Sequence, residues 1–266
     1  MIARIFHVAR REWLEQLRQP AMMISVGSLF SMIAALYVTA VVLLELIRRT
    51  PEAQAGLMMW LPALGMGSGD GDPLVALGSL ATIAVSLGSW LIFTQYLGIT
   101  SVIAGHTVLH DRERGALPFL LLAPLRRTEL LAGKVIGAIG PATLIYFVIA
   151  GSASVVAAST GVTAGASARL PPSPGFIIAF LLGGPTWAAA VGGVASVLSG
   201  VASDVRTAQQ GVWLVMFFAT FGCGYLVAGL MDRGAGVALA VAVLGALCAA
   251  AVLWVGGQVI SRDLGR

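Results

Sequence analysis

Residues 74–105 read LVALGSLATIAVSLGSWLIFTQYLGITSVIAG, thirty-two consecutive positions without a charged side chain. About 20 apolar residues suffice to cross the hydrocarbon of a bilayer as a helix, so this one stretch places the chain in a membrane. Five more stretches meet the same length rule: 21–46, 134–160, 176–199, 211–231 and 236–260. Across all six only Glu45 and Lys134 are charged, and both stand at span ends, where a side chain can reach the headgroups. Backbone amides in lipid need internal partners, and no ten-residue alternation suggests a β-barrel, so the spans read as helices.

Working outward, the rest of the composition agrees. The chain has 266 residues, 58% apolar and only 11% charged, with a mean hydropathy of +0.92. Soluble domains carry roughly 25% charged residues, so a water-soluble globule is excluded. The expected fold is an all-α polytopic membrane protein, divided into an interfacial helix over 1–20 and a single six-span domain over 21–266. The net charge of +4 arises from 15 Arg and one Lys against 12 acids. Twelve of these cations fall in the N-tail, the 106–134 segment, the 200–210 turn and the C-tail; Arg48, Arg49, Arg169 and Arg233 fall on the other side. That bias places both termini in the cytoplasm and points to membrane orientation, not to nucleic acid. Glu12 and Glu15, with the long apolar run that follows, argue against a cleaved signal peptide. Cys223 and Cys248 lie in apolar stretches with no spacing motif, so neither a disulfide framework nor a zinc site is indicated.

The first twenty residues are amphipathic. At 100° per residue, Ile2, Ile5, Phe6, Ala9, Trp13 and Leu17 share one side, with Arg4, His7, Arg11, Glu15 and Arg18 opposite. This pattern predicts a helix lying on the inner leaflet and ended by Pro20. On the outer side, 48–73 reads as a loop with an apolar patch at 57–61 and a glycine-rich turn at 65–72. Asp70 and Asp72 lack the ligand count of an EF-hand. The second outer loop, 161–175, stiffens at Pro171-Pro172-Ser173-Pro174.

Between the second and third spans lies HTVLHDRERGALPFLLLAPLRRTELLAGK, residues 106–134. A charged cluster over 111–114 breaks at Gly115, and an apolar run over 116–123 precedes Pro124 and the Arg126-Arg127 pair. Eight apolar residues span nothing. A short greasy helix bracketed by charges needs a groove, in its own bundle, in the headgroup region or in a partner protein.

These residues carry a resemblance. Asp111-Arg-Glu113-Arg-Gly115-Ala-Leu117, then Leu121-Leu122-Ala-Pro124, then Glu129-Leu-Leu-Ala-Gly133-Lys134, resembles the cytoplasmic signature of the type-2 ATP-binding-cassette exporter permeases. Residues 9–20, ARREWLEQLRQP, are similar to that family's N-terminal interfacial helix, and 206–209 to the turn before its fifth span. The sequence departs from the pattern at Ala116, at Pro118 and in the single residue between Leu122 and Pro124. The resemblance implies a transmembrane subunit that dimerises, as a homodimer in a bacterial inner membrane, and is driven by two cytosolic ATPase subunits. The 2–3 connection would be the coupling helix. Glu113 and Gly115 would mark the turn into it, Leu117 to Leu122 with Leu121 its buried face, and Pro124, Arg126 and Arg127 its exit. The implied function is export of an amphipathic compound, lipid, drug or peptide.

No cofactor is expected on this chain. Gly133-Lys134 lacks the preceding glycine and following Ser/Thr of a phosphate-binding loop, so ATP and Mg would sit on the partner ATPase. No G-x-S-x-G or H-E-x-x-H occurs. His106, His110 and Glu113 share a helical face, as a metal site or a solvated helix end. In the second span, Ser79, Thr82, Ser86 and Ser89 form a stripe continued by Phe93, Tyr96 and Thr100, which should face protein or a substrate path rather than lipid. Ala188, Gly192, Ser196 and Gly200 recur every four residues, a close-packing face. A secondary carrier or channel and a membrane scaffold recruiting a cytosolic partner are the alternatives. Against a carrier stands the lack of ionisable residues near the middle of the spans.

Overall fold

The computed structural model describes residues 2–17, 20–60, 73–115, 126–159, 174–202, 205–218 and 234–263. Among these the regular structure is helical, with no strand. In chain order the helices are α1 (Ile2–Leu17), α2 (Pro20–Arg49), α3 (Pro51–Trp60), α4 (Pro73–Glu113) and α5 (Arg127–Ser159). They are followed by α6 (Pro174–Ile178), α7 (Gly184–Val201), α8 (Val205–Phe218) and α9 (Ala235–Asp263). Four described stretches are long and apolar enough to cross a membrane: Leu87–Val108, Thr128–Val156, Pro174–Val201 and Ala235–Val259. They match the second, third, fourth and sixth expected spans. The first is helical throughout as part of α2, and the fifth begins in α8.

Helix α4 is the axis of the bundle. Its 41 residues extend about 60 Å at 1.5 Å per residue, twice the hydrocarbon thickness, so the helix is longer than a crossing needs. It touches α2, α5, α7 and α8. Of its spanning window 67% is buried, against 22% for that of α9, which presents most of its surface outward. The core is correspondingly built around Ile92, Phe93, Tyr96, Leu97 and Ile103 of α4, with Tyr37 and Val41 of α2 and Val135, Ala142 and Tyr146 of α5.

In lipid, helices gain little from exchanging one apolar neighbour for another, so small residues that admit close contact do much of the packing. The α4–α7 pair packs through three of the four positions of the expected small-residue face of α7. Ala188 and Ser196 are fully buried, a Cβ on Gly192 would stand 3.3 Å from Ala104 Cβ and Thr100 Cγ2, and the Ser196 hydroxyl donates to the Ala104 carbonyl at 3.1 Å.

Three local features differ from expectation. The outer loop contains a helix, α3, with Pro51 at its first position, where a missing N–H costs nothing. The fourth span is not a plain helix, because a π-helical segment at Ala179–Gly183 joins α6 to α7. Pro185 follows immediately, and its ring opposes the ordinary i−4 hydrogen bond; widening the turn, with the Gly184 N–H donating to the Ala179 carbonyl, accommodates it. Finally, Glu45 does not merely extend toward headgroups. Arg48 Nε and Arg49 Nε donate to its two oxygens at 2.8 and 2.7 Å, so the charge is answered within its own helix.

Gly192→Leu tests the packing argument. It inserts a side chain between α4 and α7, and a loss of about 1–3 kcal/mol is expected, read as a lower melting temperature in detergent. An unchanged melting temperature contradicts the close approach.

Candidate functional site

The charged ends of the 106–134 segment converge at one end of the bundle, where α1, the last turns of α4 and the first turns of α5 meet. Helix α4 ends at Glu113, and Gly115 follows at φ +66°, the left-handed conformation that glycine takes at little cost just past a helix end. The break expected at Gly115 is therefore a helix stop. Helix α5 restarts at Arg127 with a reciprocal cap: Glu129 Oε2 accepts from the Arg126 N–H at 3.1 Å, and the Glu129 N–H donates to the Arg126 carbonyl at 2.8 Å. Of the expected coupling residues, Leu117, Leu121, Leu122 and Pro124 lie outside the described residues, as do the side chains of Glu113 and Arg127. Gly115 and Arg126 are exposed at the two ends of that segment.

Behind both ends sits Lys134. Its side chain is 3% exposed, and its Nζ donates to Glu12 Oε1 at 2.8 Å and pairs with Asp111 Oδ2. The Thr107 carbonyl lies 3.5 Å from the same nitrogen. One ammonium thus touches carboxylates from α1 and α4 while standing on α5. This corrects the reading of Lys134 as a side chain extended to headgroups; it is enclosed by protein, and its charge is balanced there. At the rim, Arg114 Nη1 meets Glu15 Oε1 at 3.1 Å, a second link between α4 and α1. Burial raises the Glu12 carboxyl above its ordinary value, opposed by the attraction of Lys134.

Helix α1 lies against α5 through a ladder of glycines. A Cβ on Gly133 would stand 2.6 Å from Val8 Cβ, one on Gly137 would stand 2.5 Å from Glu12 Cβ, and one on Gly140 would overlap the Trp13 indole. The face that α1 buries holds Ala9, Glu12 and Gln16, whereas Phe6, Trp13 and Leu14 are exposed. The expected apolar face is divided: Ala9 is buried and Trp13 meets Gly140, whereas Phe6 is exposed, and the polar residues Glu12 and Gln16 are buried beside Ala9. Beside them is a cleft of about 20 Å³ lined by Glu12, Glu15, Gln16, His106, Thr107, His110 and Asp111, room for a water molecule. The His106 and His110 rings stand 5.7 Å apart, and among the described residues no group of three metal-binding side chains occurs. Asp70 and Asp72 lie outside the described residues.

The hydroxyl stripe of α4 divides. The side chains of Ser79, Thr82 and Ser86 lie outside the described residues. Ser89 borders a narrow cleft with Tyr37, Tyr146, Ser154 and Phe180. Phe93 and Tyr96 are enclosed, and Tyr96 stacks on Tyr146 at 4.3 Å between ring centres while its hydroxyl meets Thr143 Oγ1 at 2.5 Å. Thr100 donates to its own helix, at the Tyr96 carbonyl, 2.8 Å away.

Long apolar helices around a central α4, with a charged assembly at one end, define a multi-pass membrane protein. The family described as "ABC-2 family transporter protein" matches residues 6–242, and the chain belongs to it. It is thereby a permease subunit of the kind that works with cytosolic ATPase partners. No curated protein matches the chain.

Sequence reasoning missed Glu12 and Asp111 as partners of Lys134. The available signal was that the chain's sole lysine stands inside the Gly133–Gly137–Gly140 ladder, a place where another backbone must come close.

Glu12→Gln provides a check with a defined sign. Because the folded carboxyl holds its proton above pH 4.5, the stability it contributes is complete below that value and falls as pH rises through the raised one. The wild type should therefore lose melting temperature over that interval more steeply than Glu12→Gln, measured in one detergent across pH 4.5–7. Parallel curves contradict the burial of this carboxylate.

Proposed function

We propose that this chain is the transmembrane subunit of an ATP-driven exporter in a bacterial inner membrane, with six spans and both termini in the cytoplasm. It works as a homodimer with two cytosolic ATPase subunits, which hold the ATP and Mg. The 116–123 helix between the second and third spans is the coupling element. In this reading Glu113 and Gly115 turn the chain into it, Leu117, Leu121 and Leu122 enter an ATPase groove, and Pro124, Arg126 and Arg127 lead out. An apolar helix in a groove, fixed in register by flanking charges, is suited to pass motion from a closing motor into the helices on which it stands.

The observation that carries the reading is the anchoring of that segment. Its two ends are attached to α4 and α5, both of which bear on Lys134, so a push on the segment acts on two spanning helices together. Membership of the permease family supports the same reading. For the cargo, an amphipathic or lipid-like compound, we propose a path along Ser79, Thr82, Ser86 and Ser89, with Phe93 and Tyr96 as its closed inner end.

Purified in mild detergent with the products of its neighbouring genes, the permease should retain an ATPase in stoichiometric amount. Leu121→Arg or Glu113→Arg should reduce retention at least about tenfold, equivalent to about 1.4 kcal/mol of binding. A lone chain that moves solute under an ion gradient would instead identify a carrier, and a bound partner without a nucleotide site would identify a scaffold.

A further inference from the structure

We infer that Lys134, with Glu12 and Asp111, is a register lock that holds α1 at one position along α5 and joins α1, α4 and α5 into a single rigid body. The argument begins with the glycine ladder. Gly133, Gly137 and Gly140 recur at about one helical turn, and each accepts a close contact from α1. A ladder of glycine notches favours close approach, and although the Trp13 indole fills the notch at Gly140, the glycines carry no side chain that a displaced α1 would have to pass. Displacing α1 by one turn, about 5 Å, would bring a different residue over each glycine and keep the backbones together.

The ion cluster is not periodic. Lys134 is the only lysine in the chain, and a one-turn displacement would remove Glu12 from it and leave a buried carboxylate facing an apolar helix. Separating a buried ion from its partner is strongly unfavourable, whereas the net stability of such a cluster over an apolar packing is small. The interaction therefore contributes more to choosing one arrangement than to holding the fold. The side chain is 3% exposed, so solvent does not weaken this preference as it would at the rim. Asp111 extends the lock to α4, and the Arg114–Glu15 pair repeats the connection between α4 and α1 outside it. Lys134 is accordingly a positioning residue: it touches neither nucleotide nor cargo but fixes the geometry of the helices that flank residues 116–123. That consequence for coupling rests on the proposed function; the register itself does not.

The test places spin labels at exposed Arg10 on α1 and exposed Ser152 on α5, each changed to Cys, with Cys223 and Cys248 replaced by Ser. Distances are read in nanodiscs of phosphatidylethanolamine and phosphatidylglycerol. The wild type should give one narrow population. Glu12→Gln should add a second, displaced by about 5 Å, a helical turn. Lys134→Met alone leaves two unpaired buried carboxylates, so the triple variant Glu12→Gln, Asp111→Asn, Lys134→Met, which carries none, should fold and show the same second population. Gly192→Leu, destabilised elsewhere, should keep the single distance. If Glu12→Gln and the triple variant retain the single wild-type distance, the lock is overturned. Retention of an ATPase by the same wild-type preparation reports separately on the proposed function, so failure there leaves the distance result decisive.

Discussion

A charge enclosed by helices and shut off from bulk solvent has to be met by opposite charge at contact distance. Lys134 imposes that constraint on this fold. To satisfy it, α1 must lie along α5 with Glu12 inward, and α4 must be long enough for Asp111 to reach the same ammonium. The glycines of α5 permit the first, because any Cβ at Gly133, Gly137 or Gly140 would collide with α1. The 41-residue length of α4 permits the second. Each of these features is an ordinary packing device taken alone. Together they bring three helices distant in sequence to one nitrogen atom.

Four of the six expected spans were legible as long apolar helices because hydrophobic length is a direct consequence of bilayer thickness and depends on no tertiary partner. The packing stripe through Ala188, Gly192 and Ser196 was legible for a similar reason: small residues at one helical face have few uses other than close approach. Gly115 could be read as a break because a left-handed turn selects glycine. The π-segment before Pro185 was not legible, since proline signals a disturbed hydrogen bond but not whether the helix kinks, ends or widens around it.

The buried charges escaped for a different reason. Periodicity assigns residues to faces but does not say where contact with protein begins and ends, and on α1 the buried side takes in Glu12 and Gln16 beside Ala9 while Phe6 stays exposed. In a soluble protein the apolar face is the inward one. Where a buried ion partner is available a polar side chain also has reason to turn inward, so amphipathicity alone does not fix the orientation. The Gly133–Gly137–Gly140 ladder, read together with the single lysine among them, carries the missing information.

The position of the ion cluster also bears on how a short apolar segment could move a membrane domain. A segment attached to one helix by a flexible end would turn on that end when pushed, and the motion would dissipate locally. Here the end at Gly115 follows directly on α4, whose Asp111 is paired with Lys134, and the end at Arg126 is capped onto α5, which bears Lys134 two turns later. Displacement of either end without the other would stretch the Lys134–Asp111 pair in a poorly solvated site. Motion of both ends together leaves every ionic contact intact and carries α1 along with them. The rigid route is thus the one of lower energy, and it leads straight into α4, the helix with most of its surface against the rest of the bundle.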